Sequence, residues 1–356
     1  EAAQALAKLY RKGVPLSQIT ADSVGPTASY WTDMFVQPSS AYTSCATGAA
    51  DQIQAVYGWM RCFQNNETLG LWEMDVRNHP PTPVGGANSY YNSQYSSLWA
   101  WRSMANSNYH ALQVSLHKQF SNGVLFGVNY TYSHSLDIAS FAERATHFLT
   151  SSIINAWDPH QMYGPSAYDL RHQLNGYWVA QLPFGRGQIV EGNANYALNA
   201  LIGGWQFAGT TRWTSGFPYS VFMGYVWPTN WDEMGWANLV KPVSTGTTIY
   251  QGAPYAFKNP TTASSSFDYA LPGQSGQRNN IRGEGYFDTD MNLSKTFQIV
   301  HKQTFQIRWQ VFNTFNTHRF DVQSINDEVD AGPAFGQYTG LLTQPRTMEF
   351  GGVYTF

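Results

Sequence analysis

The chain closes on Arg346-Thr-Met-Glu-Phe-Gly-Gly-Val-Tyr-Thr-Phe356. Side chains alternate along an extended strand, so Met348, Phe350, Gly352, Tyr354 and Phe356 share one face and Thr347, Glu349, Gly351, Val353 and Thr355 the other. The last residue falls on the apolar face. The stretch reads either as a half-buried edge strand or as a strand with one face in lipid, and the remaining sequence decides between them.

Of 356 residues, 12% are charged and 16% aromatic; mean hydropathy is -0.35 and net charge -3. That is too polar for a helical membrane protein and too aromatic for disorder. No run reaches the ~18 apolar residues of a transmembrane helix. Barrels remain open, because alternating strands escape any hydropathy average. Without a basic stripe to meet phosphates, no nucleic-acid partner is expected. Glu1 is followed by no charged-then-apolar leader, so an export signal is expected to have been removed or to lie upstream.

Ala2, Ala5, Leu6, Leu9 and Tyr10 have helical spacing with Gly13 as a stop, predicting a short amphipathic helix. Val24 to Asn108, rich in Pro, Gly, Ser, Asn, Tyr and Trp, reads as a long ordered loop without a core of its own. Cys45 and Cys62 lie inside it, without Cys-x-x-Cys spacing. Joined in an oxidising compartment they would close a local loop worth ~3 kcal/mol. Two free thiols are the alternative.

From Tyr109 the period becomes two. Leu112, Val114 and Leu116 alternate with Gln113, Ser115 and His117; Ser121-Asn-Gly123 supplies a turn; Phe126, Val128, Tyr130 and Tyr132 alternate with Gly127, Asn129, Thr131 and Ser133. Pairing about the turn sets Leu116 opposite Val128 and Val114 opposite Tyr130. The same two-sided strand recurs around Leu174 to Leu182, Trp205 to Trp213, Phe287 to Phe297 and Phe305 to Val311. With the terminal strand the count is about seven, an all-β antiparallel array over 109–356.

Connections at Ser121 to Gly123 and Gln298 to Gln303 are tight, and Pro183 to Gly203 is moderate. Leu136 to Arg171, Gly216 to Tyr286 and Asn316 to Pro345 are long. Short turns at one end and long loops at the other match transmembrane β-barrels, whose short turns face the periplasm. In that arrangement Leu112, Val114, Leu116, Phe126, Val128, Trp178, Phe305, Ile307, Trp309, Phe350 and Tyr354 face lipid. Gln113, Asn129, Gln181, Asp290, Asn292 and Arg308 face inward. Tyr130, Tyr132, Trp178, Trp205, Trp213, Tyr286 and Phe297 suit interfacial girdles.

Several motifs then resemble one family. Asn106-Ser-Asn-Tyr-His-Ala-Leu-Gln-Val-Ser-Leu-His-Lys-Gln-Phe120 with Val128-Asn-Tyr-Thr-Tyr-Ser-His-Ser-Leu-Asp137 is similar to the late barrel hairpin of TonB-dependent receptors of the Oar-like, acidobacterial type. So are Tyr168-Asp-Leu-Arg-His172 with Leu182-Pro-Phe-Gly185, Gly203-Gly-Trp-Gln206 with Ser215-Gly-Phe-Pro218, Asn279 to Arg282, and Val311-Phe-Asn-Thr-Phe-Asn316. The resemblance spans Ser97 to Phe356. It implies the C-terminal part of an outer-membrane active transporter, closed by an N-terminal plug and energised through the TonB complex. Plug, TonB-contacting segment and N-terminal carboxypeptidase-regulatory-like domain are not recognisable here. The terminal strand also resembles the signal read by the barrel-assembly machinery, with Phe350, Tyr354 and Phe356 as its aromatic positions. A structural or surface-assembly barrel without transport is the alternative function.

No catalytic constellation, cofactor or metal site emerges, and no enzyme is expected. Asp169, Arg171 and His172 read as a loop anchor rather than an acid–base group. Asp288 and Asp290 share an inward face and are expected to pair with Arg308. Tyr225, Trp227, Trp231 and Trp236, interspersed with Asn230, Asp232 and Glu233, suit sugar or peptide contacts in a long loop, against the alternative of packing with neighbouring loops.

Seven strands cannot close as an antiparallel barrel, small barrels need about eight, and transporters of this type have ~22. The outer edges of the first and last strands are therefore expected to meet further strands of the same receptor or another copy. The alternative is an extra strand before Asn108, for which Tyr95 to Ser103 is the candidate.

Overall fold

The computed structural model describes residues 1–32, 44–63, 65–78, 103–140, 153–155, 157–224, 235–299 and 303–356. Where the sequence alternates, the chain is extended. The strands are β1 (Ser107–Ser121), β2 (Val124–Asp137), β3 (His172–Gln181), β4 (Trp205–Thr214), β5 (Tyr286–Gln298), β6 (Thr304–Phe312) and β7 (Thr347–Thr355). Each pairs antiparallel with its sequence neighbour, in the order β1 to β7. The register follows the alternation: Leu116 faces Val128 and Val114 faces Tyr130. A slip of one residue would turn every apolar side chain to the wrong face. Asn122 and Gly123, at φ 52° and 76°, make the tight turn that an Asn-Gly pair favours.

Among the described residues β1 pairs only with β2 and β7 only with β6, so the sheet is open. Of the candidate extra strand, Tyr95 to Arg102 lie outside the described residues.

Connections at the two ends of the sheet differ as the sequence predicts. The tight end carries the β1–β2 and β5–β6 turns and a short helix, α4 (Tyr196–Ile202), between β3 and β4. At the other end the β4–β5 and β6–β7 connections pack together around Tyr219, Val221, Met223, Phe257, Ile281 and Phe335. Small antiparallel pairs brace that cap, such as Ile281–Arg282 on Pro218–Tyr219 and Thr245–Tyr250 on Ala253–Phe257.

The predicted N-terminal helix is present as α1 (Ala2–Arg11), and Gly13 follows it at φ 74°. The stretch after Val24 differs from its reading as a coreless loop. It contains α2 (Gln52–Cys62) and α3 (Glu67–Asn78), which with α1 enclose a core of Leu6, Ile19, Trp31, Val56, Trp59 and Met60. Ile53, Val56, Tyr57 and Met60 follow helical spacing, and the Asp51 carboxylate accepts from the Gln54 N–H at 2.8 Å as the N-cap. Turn-forming residues elsewhere in the stretch hid this helix from a composition average. Gly58 is required: a Cβ there would sit 2.7 Å from the Cys45 carbonyl oxygen.

Cys45 and Cys62 are joined, with Cα atoms 5.8 Å apart, tying a short turn to the end of α2. The helical unit docks on the cap through Arg11. Its guanidinium holds Glu67 (2.8 and 3.0 Å) and donates to the carbonyls of Tyr269 (2.7 Å) and Ala270 (3.2 Å).

Candidate functional site: a polar wall and its clasped rim

Strand register lines polar side chains into rows across the sheet. Ser115, Asn129, Asn175, Arg212 and Asp288 stand opposite one another in turn on β1 to β5. The Ser115 hydroxyl donates to Asn129 Oδ1 at 2.8 Å. One row nearer the tight turns come His117, Gly127, Tyr177, Thr210 and Asp290. Gly127 is needed because the Tyr177 ring lies across it; an added Cβ would come within 2.5 Å of the ring. Aromatic cover of a strand glycine pins register while leaving the backbone paired.

A hollow of about 400 Å³ opens on this face, lined among others by Asn129, Asn175, Tyr177, Arg212, Asp288 and Asp290. The polar face is thus the concave one. Tyr286 also lines it, donating to Asp288 Oδ2 at 3.2 Å beneath the Arg212 guanidinium, which lies 5.7 Å from the ring centroid. Tyr286 is therefore not an interfacial aromatic.

The expected pairing of Asp288 and Asp290 with Arg308 is corrected by the register. Arg308 stands opposite Ser294, whereas Asp288 stands opposite Arg212. Asp290 instead accepts from the Asn313 N–H at 2.9 Å, anchoring the end of β6.

The rim is held by arginines from the long connections. Arg278 donates to the Asp137 carboxylate and, at 2.8 Å, to the Asp137 carbonyl. Arg282 pairs with the Asp169 carboxylate and donates to the Asp169 (2.9 Å) and Gly216 (3.2 Å) carbonyls. Arg319 pairs with Glu284 at 2.7 Å. Asp169 is fully buried and also accepts from the Ser135 N–H at 2.7 Å and from His134 Nδ1 at 3.2 Å. Burial pushes its carboxyl up, but these donors outweigh it and hold the group below the ordinary carboxylate range. His172 is elsewhere, bonded to the Tyr130 hydroxyl at 2.8 Å, so Asp169 and His172 do not form one group.

Of the four aromatic loop residues, Tyr225, Trp227 and Trp231 lie outside the described residues. Trp236 is buried against Ile138, Ile154 and Met162, so it is a packing residue and no ligand platform. Arg278 and Arg282 were the residues missed as a set. Arg282 closes the Asn279 to Arg282 motif and Arg278 stands directly before it, and their partners sit in two other motifs, at Asp137 and Asp169.

Among the described residues no helix is long and apolar enough to cross a membrane. A family model described as an outer membrane beta barrel domain matches residues 59–349. The chain belongs to the outer-membrane β-barrel family. Neither the curated proteins nor the solved structures contain a match to it.

The barrel resides in the bacterial outer membrane. Its convex, apolar face meets lipid and its concave, polar face lines the interior. At the loop end of the lipid face, Tyr132, His172 and Trp213 gather with ring centroids 5.2 and 6.0 Å apart. At the tight-turn end stand Trp205, Phe297 and Tyr354, paired with Lys295, Phe305 and Phe305 respectively. Trp178 is mid-strand, packed over Gly209 beside Phe207. The terminal aromatics continue the face: Phe350 stacks on Trp309 at 6.1 Å and Tyr354 on Phe356 at 6.2 Å.

Proposed function

We propose that this barrel wall belongs to a TonB-dependent outer-membrane transporter of the Oar-like type, moving a polar solute along the row of Asn129, Asn175, Arg212 and Asp288. The observation carrying this reading is the open sheet with a polar concave face. Backbone groups unpaired in hydrocarbon cost several kcal/mol each, so the free edges of β1 and β7 call for further strands. A barrel much wider than seven strands has an interior that a plug must close, and the motif resemblance supplies that plug and its TonB partner.

The exposed Phe356, stacked on Tyr354 on the face of β7 that also carries Phe350, fits the aromatic positions of the signal read by the barrel-assembly machinery. Its deletion is expected to lower heat-resistant barrel in the outer membrane more than the few kcal/mol at most of one side-chain burial would. Normal yield from the deleted form refutes that partner.

A second reading, a surface-assembly barrel, is favoured by the packed cap and the disulfide-tied helical unit docked on it. Labelling of Asn175→Cys in the full receptor separates the two. A membrane-impermeant maleimide added to cells should react several-fold faster when TonB and the proton-motive force are intact, because the plug must move. Equal rates with and without TonB overturn the transporter reading.

A further inference from the structure

We infer that the β3–β4 connection, Pro183 to Gly203, is a foot that beds in the phospholipid surface of the inner leaflet. It rests on the lipid face of the barrel and not on transport. Three observations converge on it.

The first is where the foot is attached. Lys295 Nζ donates to the carbonyls of Leu201 (3.1 Å) and Gly203, and Trp205 Nε1 donates to the Leu201 carbonyl at 3.0 Å. These are the unsatisfied carbonyls at the C-terminus of α4, where a cation also meets the negative end of the helix dipole. Lys295 and Trp205 stand opposite each other on β5 and β4, in file with Leu293 and Phe297, which is the lipid face. The end of α4 is therefore fixed to the outside of the wall. A foot held from the interior would have been tied to Ser294 or Gln206.

The second is how the attachment tolerates that place. Lys295 is almost wholly buried, with Nζ 5.1 Å from the ring centroids of both Trp205 and Phe297. The ammonium is thus covered by two interfacial aromatics and two carbonyls rather than by water.

The third is what the foot presents. Its inner side is polar and tight: Asn199 Oδ1 accepts from the Arg186 N–H at 2.7 Å, and a Cβ on Gly185 would lie 2.7 Å from Gly203 Cα. Its large apolar side chains are left open: Ile189 (91% exposed), Tyr196 (81%) and Leu201 (72%). The exposed Arg186 guanidinium lies 4.9 Å over the Tyr196 ring, a cation at headgroup level beside an amphipathic aromatic. Exposed apolar side chains, a single Arg186 and a single Glu191 that leave the segment without net charge, and continuity with the lipid face describe an interfacial segment that sinks ~5–10 Å into the headgroup boundary.

The test uses the full-length barrel protein in phosphatidylethanolamine–phosphatidylglycerol vesicles, with an environment-sensitive fluorophore on Leu201→Cys or Tyr196→Cys. Ala197→Cys replaces either one that fails to give heat-resistant barrel. Val128→Cys reports the lipid face and Asn175→Cys the interior. At the foot, spin-labelled lipid with a shallow nitroxide should quench several-fold more than aqueous iodide. If Val128→Cys is quenched by lipid while the foot is quenched by iodide, the foot stands in water and the inference fails alone. If neither quencher reaches the foot, protein covers it, whether a second copy or a periplasmic partner, and the inference fails. If Val128→Cys also escapes the lipid quencher, the lipid-face assignment fails first.

Discussion

In the sheet, Leu116 meets Val128 across a two-residue turn, while in the cap Arg282 meets Asp169 over 113 positions and Arg278 meets Asp137 over 141. Neighbours in the sheet follow from counting by two from a turn, and lipid enforces the count on one face. In the cap, buried carboxylates select partners from distant loops. Sheet residues are thus specified by their immediate sequence, and cap residues only by the fold that brings three loops to one rim.

The largest expected effect lies in the cap. Removing the Asp169 carboxylate leaves Arg282 partly buried and the Ser135 N–H unpaired, and breaking a buried pair costs ~3–5 kcal/mol. Asp169→Ala should open the β2–β3 and β4–β5 connections to proteolysis and hydrogen exchange while the heat resistance of the sheet persists. Loss of heat resistance in step with the loops would mean that rim and sheet fold as one unit. Acid should mimic the substitution. Because the folded carboxyl lies below its ordinary value, its contribution is whole above about pH 4, the unperturbed value, and fades as pH falls through the depressed one. Loop protection that is flat below pH 4 in the native protein, or that falls equally in Asp169→Ala, would remove Asp169 as the cause.

This division explains which parts were legible. All seven long strands were readable because each carries both sets of its alternation, as with Phe305, Ile307 and Trp309 against Gln306, Arg308 and Gln310. Asp169 was readable as an anchor because it abuts a strand start, but its partner Arg282 was not, since nothing local links them. Arg212 was passed over for Arg308 because hairpin proximity was weighed above the β4–β5 pairing, whose register depends on a connection of some seventy residues. The helical unit was missed because α2 is flanked by turn-rich sequence, and the lipid-side foot because its attachment, Lys295, is a charge on an apolar face.

The two faces of one strand pair sharpen the comparison within the sheet. Leu293→Arg, set between Phe207 and Trp309 on the lipid face, should cost ~2–4 kcal/mol if it lies near the bilayer midplane. Gln310→Arg, on the interior face between Asn292 and Glu349, should cost almost nothing. Urea titration of the barrel in vesicles measures both. Equal losses would show that both faces are dry.

The disulfide tests whether the helical unit is coupled to the rest. Replacing Cys45 and Cys62 by serine frees a loop of the size whose closure is worth ~3 kcal/mol in the unfolded chain, and that loss should stay within α1 to α3. Amide exchange of α2 should accelerate while β2 and β5 keep their protection. Because Arg11 also grips the Tyr269 and Ala270 carbonyls, a smaller acceleration is expected around Ala270. Acceleration in the strands would show that the sheet leans on the helical unit.

Two asparagines in the same backbone state give the smallest effects and the cleanest contrast. Asn122 in the β1–β2 turn has φ 52° and Asn313 at the rim has φ 48°, both left-handed. A side chain with Cβ costs roughly 1–2 kcal/mol there unless it is Asn or Asp, so alanine at either position should destabilise by about that much. Glycine separates them. Asn122 is exposed in a turn that needs only its backbone state, so Asn122→Gly should leave stability unchanged. Asn313 is buried; its Nδ2 donates to the Thr317 (3.0 Å) and Gln344 (2.8 Å) carbonyls, and its Oδ1 accepts from the Thr317 N–H at 2.9 Å. Asn313→Gly keeps the backbone state and loses all three, at about 1 kcal/mol for each bond. Thermal unfolding of the two glycine variants should differ accordingly, with exchange at Thr317 accelerated only in Asn313→Gly. If the glycine variants match, Asn313 serves only as a turn residue, and the rim around β6 and β7 is specified by local sequence like the sheet below it.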